Sequence, residues 1–195
     1  MIAPPEEVIR RAARTLLDGE RLDMATLAAR LGISRVTLFR RVGSRDAVLG
    51  EAMWWLAERT LRRAAEVHDA RPVGAEPPGR LRSLSIAEDF RNVLSTAPSL
   101  RRFLDDEPTT ALRVLTDPRG RVQPRLVEAY TALFERDVEA LGSVPDVPIP
   151  LLSYAVVRLG ESFLYSDVMV SREPDLKAAT TVVDALVTGV FRSPR

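Results

Sequence analysis

Apolar side chains recur along the chain at three- and four-residue spacing, the period of an α-helix, and no stretch alternates convincingly as a strand would. Val8, Ala12 and Leu16, for example, share one side of the first such stretch, with arginines on the other. Glycines, prolines and capping residues separate the stretches. The predicted helices span residues 6–17, 24–31, 35–42, 44–67, 83–96, 99–106, 109–116, 123–141, 150–170 and 175–191.

The second and third predicted helices have the lengths and the separation of a helix-turn-helix motif. Asp23 and Ser34 are suited to cap their N-termini, and Gly32 and Gly43 follow their last turns. On the third helix one side is apolar. That side is predicted to enter the core, through contacts among Leu27, Leu31, Ile33, Leu38 and Val42.

The opposite side of the third helix is basic and has no acidic residue. The guanidinium of Arg35 can donate two hydrogen bonds to a guanine, and the methyl groups of Val36 and Thr37 can contact the methyl of a thymine. The N-terminus at Ser34 presents backbone N–H groups to a phosphate. We therefore expect this face to bind the major groove of duplex DNA.

Charge is unevenly distributed in a way that agrees with this expectation. Residues 1–50 carry nine arginines against six acidic residues, although the net charge of the whole chain is only +1. A basic N-terminal end favours a polyanionic partner for that part of the molecule alone.

The stretch from Leu31 to Leu49 resembles the signature of the tetracycline-repressor (TetR) family in its glycine, its serine cap and its spacing. The resemblance covers about residues 5–55. It implies a dimeric, repressor-type regulator whose third helix binds a palindromic operator in double-stranded DNA. It also implies a divergent C-terminal region that binds a small effector.

Carried over position by position, the resemblance makes Arg35, Val36 and Thr37 base-contacting residues. Phe39 stands where the family has a tyrosine that contacts the DNA backbone, and it lacks that hydroxyl. Arg41 replaces a histidine, and Arg45 replaces a phosphate-binding lysine. The predicted DNA-binding residues are Ser34, Arg35, Val36, Thr37, Phe39, Arg40, Arg41, Ser44 and Arg45.

The predicted fold is all-α, with a helix-turn-helix head over residues 1–48, a long fourth helix, and a ligand-binding and dimerisation body over residues 49–195. Within the body, residues 157–167 are similar to a TetR subgroup of regulators of quorum-sensing-signal degradation.

Two apolar stripes near the C-terminus exceed what one body needs to bury, so a homodimer through the last two helices is predicted. The residues expected at the interface are Leu159, Phe163, Ala179, Val183, Leu186 and Val190. Short helices separated by prolines and rich in aromatic residues predict a mostly apolar pocket for a small hydrophobic effector. Its expected lining is Trp54, Trp55, Phe90, Phe103, Tyr130, Phe134, Tyr154 and Glu161, although Glu161 could equally pair with Arg158.

Other functions find little support. The chain has no cysteine and one histidine, and it lacks a glycine-rich phosphate loop or a nucleophile elbow, so we expect no enzyme, no metal and no cofactor. No apolar run is long enough to cross a membrane, and a cytoplasmic protein is expected. A helical interaction or scaffold protein without DNA binding remains the alternative. The acidic run Asp105, Asp106 and Glu107, which precedes Pro108, is expected to be exposed to solvent.

Overall fold

The computed structural model describes residues 4–72, 75, 77, 79–142, 145–169, 172 and 175–192. Over these ranges the chain forms ten α-helices and no strand, which confirms the all-α prediction. None of the helices in the described ranges is long and apolar enough to span a membrane. The helices are α1 (Pro5–Leu17), α2 (Met24–Arg30), α3 (Arg35–Val42), α4 (Arg45–Asp69), α5 (Arg82–Thr96), α6 (Pro98–Asp106), α7 (Pro108–Thr116), α8 (Gln123–Leu141), α9 (Ile149–Met169) and α10 (Leu176–Arg192).

Five helices begin one residue earlier than predicted, and three of these begin at a proline. Pro5, Pro98 and Pro108 occupy the first turns of α1, α6 and α7. Proline is well suited to this position because its fixed φ is helical and the first N–H of a helix needs no intrahelical partner. The prolines therefore start these helices and do not merely separate them.

The helices group into two compact units. Unit 1 comprises Met1–Glu58 and Ala97–Pro124, and unit 2 comprises Arg59–Thr96 and Arg125–Arg195. Unit 1 thus contains α6 and α7 in addition to the predicted head, and the long α4 belongs to unit 1 in its first half and to unit 2 in its second. The functional division at residue 48 stays a prediction.

In unit 1, α1 packs on α2, α3 and α6. The buried side of α1 carries Val8, Ala12 and Leu16, as its periodicity predicts. From α6, Phe103 and Leu104 are buried. Helix α6, which comes later in the chain, therefore packs on α1 in the same unit as the helix-turn-helix.

In unit 2, α10 packs on α5 and α9. The core of this unit is apolar and consists of Leu84, Ala87, Tyr130, Phe134, Leu152, Val156, Val157, Val183 and Val187. The ring of Phe134 lies 6.2 Å from that of Tyr130 and 6.3 Å from that of Phe191, measured between centroids.

Unit 2 also holds the buried carboxylate of Asp137 and the partly buried carboxylate of Asp184. Asp137 is buried and accepts a hydrogen bond from the backbone N–H of Ser83 at 3.2 Å, at the start of α5. Asp184 pairs with Arg80 at 3.1 Å. Burial raises the pKa of both carboxyl groups, and the hydrogen bonds from Ser83 and the charge of Arg80 only partly oppose it.

Candidate nucleic-acid interface

Helix α3 is anchored by one side chain and by its two ends. Leu38 is fully buried in unit 1. The hydroxyl oxygen of Ser34 accepts a hydrogen bond from the N–H of Thr37 at 3.1 Å, so it caps the helix as predicted. Gly43 follows the last turn with φ of 78°, a conformation that side chains rarely adopt. These contacts fix which side of α3 faces outward.

The outward side of α3 is exposed and basic. Val36 is 69% exposed and Phe39 is 40% exposed. Arg40 and Arg41 are exposed beside them. The guanidinium carbon of Arg35 lies 5.7 Å from the centre of the Phe39 ring, a cation–π arrangement. Apolar groups and cations therefore share one surface that the protein itself does not cover.

Three polar side chains predicted to contact DNA have partners inside the protein. The hydroxyl groups of Ser34 and Thr37 lie 2.8 Å apart. The hydroxyl oxygen of Ser44 accepts from the N–H of Ala47 at 3.2 Å and so caps the next helix, α4. These hydroxyl groups hold the ends of the helices that carry the basic side chains.

Arg45, predicted to bind a phosphate, is bound within unit 1. Its Nε donates to the carbonyl oxygen of Leu22 at 2.7 Å, and its two terminal nitrogens donate to both oxygens of Glu107 at 2.8 and 2.6 Å. The side chain is 24% exposed. This geometry favours a positioning role for Arg45, which ties the start of α4 to the α6–α7 junction.

Glu107 was expected to be exposed, and this is wrong: its side chain is only 10% exposed. Besides Arg45, it accepts a hydrogen bond from Arg21 at 3.1 Å. The hydrogen bonds from Arg45 lower the pKa of the Glu107 carboxyl, with Arg21 adding to the effect. The sequence could not reveal this because the partners lie 62 and 86 residues away. Its neighbours Asp105 and Asp106 are exposed as expected.

A groove of about 750 Å³ lies in unit 1 beside this surface. It is formed by α1, by the end of α3 and by the first half of α4, with Arg121 at its border. Its apolar surface includes Ile9, Val42, Trp54 and Trp55. The two tryptophans were predicted to line an effector pocket in the body, and the structure places them against the head.

The other residues predicted to line the effector pocket are divided between the two units. Phe103 is buried in unit 1, whereas Phe90, Tyr130 and Phe134 are buried in unit 2. Tyr154 is 42% exposed. Glu161 accepts a hydrogen bond from Arg158 at 2.8 Å, the pairing that the sequence had left open.

The residues predicted at the dimer interface divide into two groups. Ala179 and Val183 are fully buried inside unit 2, because α10 packs on α5 and α9 along this side. Leu159, Phe163, Leu186 and Val190 are partly exposed. Leu151, Tyr154 and Val182 add large exposed apolar side chains to the same two helices.

Comparison with known proteins gives one family and a set of related structures. Residues 78–188 match the family described as "Tetracyclin repressor-like, C-terminal domain". The R. erythropolis transcriptional repressor QsdR, from the TetR family, is 27% identical, with a TM-score of 0.81 over 98% of this chain and 100% of its own. The TetR family repressor AlkX from Dietzia sp. strain DQ12-45-1b is 21% identical, with a TM-score of 0.59 over 98% of this chain and 100% of its own, and shows a shared fold. No protein of curated function matches the chain.

Proposed function

Because the chain belongs to the TetR family of transcriptional regulators, we propose that it represses transcription by binding a palindromic operator through α3. The observation that carries this proposal is the outward side of α3, where exposed Val36 and Phe39 stand among arginines on a helix that Leu38 holds in place. A surface of cations and methyl groups matches the phosphates and thymine methyls of the major groove.

Each side chain of this surface has a distinct proposed role. Arg35 donates to a guanine, and Val36 and Thr37 contact a neighbouring base through their methyl groups. Arg40 and Arg41 bind phosphates, and Phe39 packs on a sugar or on a thymine methyl.

Substitution of Arg35 tests the proposal, with operator sites first selected from random DNA. Arg35→Ala is expected to lose about 1–3 kcal/mol of binding free energy on the selected site and little on random duplex. Arg63→Ala removes an exposed arginine of α4 that pairs with Glu66 outside this surface, and it should change neither affinity. An equal loss on both DNAs for Arg35→Ala would contradict base contact by this residue.

We propose further that the operator is bound by a homodimer that forms through α9 and α10. Support comes from the exposed Leu151, Tyr154 and Val182, with Leu159, Phe163, Leu186 and Val190 partly exposed on the same helices. Two heads about 34–36 Å apart would match half-sites separated by one turn of DNA. Val182→Arg should lower the dimer fraction in sedimentation experiments at micromolar concentration, and a protein that is monomeric before substitution would refute the interface.

The effector is proposed to be a small hydrophobic molecule that releases the operator, in a protein that acts in the cytoplasm. Release requires that the effector bind the DNA-free conformation more tightly than the DNA-bound one, since equal affinity shifts no equilibrium. Compounds that raise the melting temperature should therefore weaken operator binding. If several such compounds bind and none changes operator affinity, the proposed regulation is wrong.

A further inference from the structure

Two arginines that flank the helix-turn-helix bind the same carboxylate. Arg21 lies shortly before α2, and Arg45 is the first residue of α4, shortly after the end of α3. Arg45 donates to the two oxygens of Glu107 at 2.8 and 2.6 Å, and Arg21 donates to the same oxygens at 3.1 and 3.4 Å. The segments before α2 and after α3 are therefore joined through a side chain from a third place in the sequence.

Arg45 is also bonded directly to the segment before α2. Its Nε donates to the carbonyl oxygen of Leu22 at 2.7 Å. Leu22 is buried, and the next residue, Asp23, caps α2 by accepting from the N–H of Thr26 at 2.7 Å. Every nitrogen of the Arg45 guanidinium thus has an acceptor within unit 1. The side chain holds the first residue of α4 against the start of α2.

Glu107 is itself fixed by the two helices that meet there. Its N–H donates to the carbonyl oxygen of Phe103 in α6 at 3.1 Å, and its carbonyl oxygen accepts from the N–H of Ala111 in α7 at 2.8 Å. Bidentate pairs between arginine and carboxylate fix direction as well as distance. The α6–α7 junction therefore provides one attachment point for both ends of the helix-turn-helix.

We propose that Glu107 is a positioning residue for operator recognition, an inference that rests on the proposed binding of DNA through α3. By joining Arg21 and Arg45, it holds α2 and α3 in the arrangement that fits the major groove before DNA is bound. Such preorganisation favours hydrogen bonds to base edges, which need a defined geometry, more than contacts with phosphates. A role of Glu107 through its negative charge alone would instead weaken binding to every duplex.

Glu107→Gln distinguishes these two roles when affinity is measured on selected and on random duplex of equal length at one salt concentration. The specificity ratio, which is the affinity for selected duplex divided by that for random duplex, should fall about threefold to thirtyfold. Binding to random duplex should stay the same or strengthen, because a negative charge is removed. Unfolding of part of the protein lowers both affinities equally, so a loss of stability alone leaves the ratio unchanged. Asp106→Asn removes the same charge at the exposed neighbouring position and should not change the ratio.

Arg45→Lys tests the same contacts from the arginine side. Lysine keeps the charge that a phosphate contact would need, but it lacks the planar set of donors that reaches Leu22 and Glu107 together. The specificity ratio should fall by a similar factor. In the Glu107→Gln background the same substitution should have little further effect, because both changes break one set of contacts. Arg63→Lys, at an exposed position of α4 that pairs with Glu66, is the matched control.

An unchanged specificity ratio in Glu107→Gln would overturn the inference. It would also be overturned if Arg45→Lys kept the ratio of the unsubstituted protein, because the charge at this position would then be sufficient. If Glu107→Gln does not fold, Arg45→Lys decides the question. An unsubstituted protein that prefers no duplex would refute the proposed function, a result distinct from a preference that survives these substitutions.

Discussion

The pKa values of partly or fully buried carboxylates shift in opposite directions in the two units of this protein. In unit 1, Glu107 receives hydrogen bonds from two arginines, which lower its pKa. In unit 2, burial outweighs the partners of Asp137 and Asp184 and raises their pKa values. The difference shows that a carboxylate with little exposed surface can favour either protonation state, depending on how many donors surround it.

Opposite shifts give opposite dependences of stability on pH. Because the pKa of Glu107 is lower in the folded state, its contribution is complete above its ordinary pKa and is lost as the pH falls through the lowered value. Asp137 and Asp184 hold their protons more tightly in the folded state. Their contribution therefore becomes more favourable as the pH falls from the raised pKa towards the ordinary one. As the pH falls, the cost of the ionised Asp137 and Asp184 is therefore relieved first, and the contribution of Glu107 is lost only below its ordinary pKa.

The prediction with the largest expected effect tests whether the stability contributed by the apolar core of unit 2 is independent of the ionisation of these carboxylates. Phe134→Ala removes a ring that is 1% exposed and should lower the free energy of unfolding by about 3–5 kcal/mol, since it leaves a cavity. Urea denaturation should give a similar loss in neutral and mildly acidic buffer. Val93→Ala, at a half-exposed position of α5, is the control and should cost little. If the loss of unfolding free energy for Phe134→Ala varies strongly with pH, the contribution of the apolar core is not independent of the ionisation of the carboxylates.

The next effect concerns the carboxylate of unit 1. Glu107→Gln should lower the free energy of unfolding by about 2 kcal/mol near neutral pH, because it weakens charged hydrogen bonds to Arg45. The difference from the unsubstituted protein should shrink as the pH falls, since Glu107 then becomes protonated. Asp106→Asn, at the exposed neighbouring position, is the matched control. A loss that stays constant down to acid pH would show that charge is not the cause.

A smaller effect of opposite sign is expected in unit 2. Asp137→Asn keeps an oxygen that can accept from the N–H of Ser83 and removes a buried charge. It should stabilise the protein by about 1 kcal/mol in weakly alkaline buffer, because a buried charge without a full set of partners is costly. The gain should disappear as the pH falls below the raised pKa of Asp137. Destabilisation in weakly alkaline buffer would show that the ionised carboxylate is favourable there.

The prediction with the smallest expected effect tests whether the exposed side of α3 contributes to DNA binding without contributing to the stability of the fold. Arg40→Ala should change the free energy of unfolding by less than about 0.5 kcal/mol, as is usual for exposed positions. If Arg40 binds a phosphate, the affinities of the variant for random duplex and for selected duplex should fall by a similar factor. Both affinities should also depend less on salt concentration. A large loss of stability would mean that α3 depends on Arg40 for its fold.

The sequence predicted the helices well because their ends are decided locally. Ser34 caps the residues next to it, and Gly43 ends the same helix, so neither depends on distant parts of the chain. The same locality made the buried position of Leu38 predictable from its spacing. The periodicity of apolar residues shows which side of a helix is buried, but it does not identify the element that packs against that side.

The failures follow from that limit. The apolar stripe of α10 was assigned to a partner subunit, whereas α5 and α9 cover Ala179 and Val183. Trp54 and Trp55 were predicted to line an effector pocket in the body, and in the structure they line a groove together with residues of α1. Glu107 could be understood only together with Arg45, which lies far away in the sequence. Such long-range pairings require the fold itself.

The distribution of aromatic residues has a consequence for how the molecule unfolds. Trp54 and Trp55 belong to unit 1, and the three tyrosines of the chain, Tyr130, Tyr154 and Tyr165, all belong to unit 2. Each unit thus carries its own natural chromophore, and no label is needed to distinguish them. If the two signals are lost at one temperature, the units melt as a single cooperative body; if they are lost separately, an intermediate with one folded unit exists.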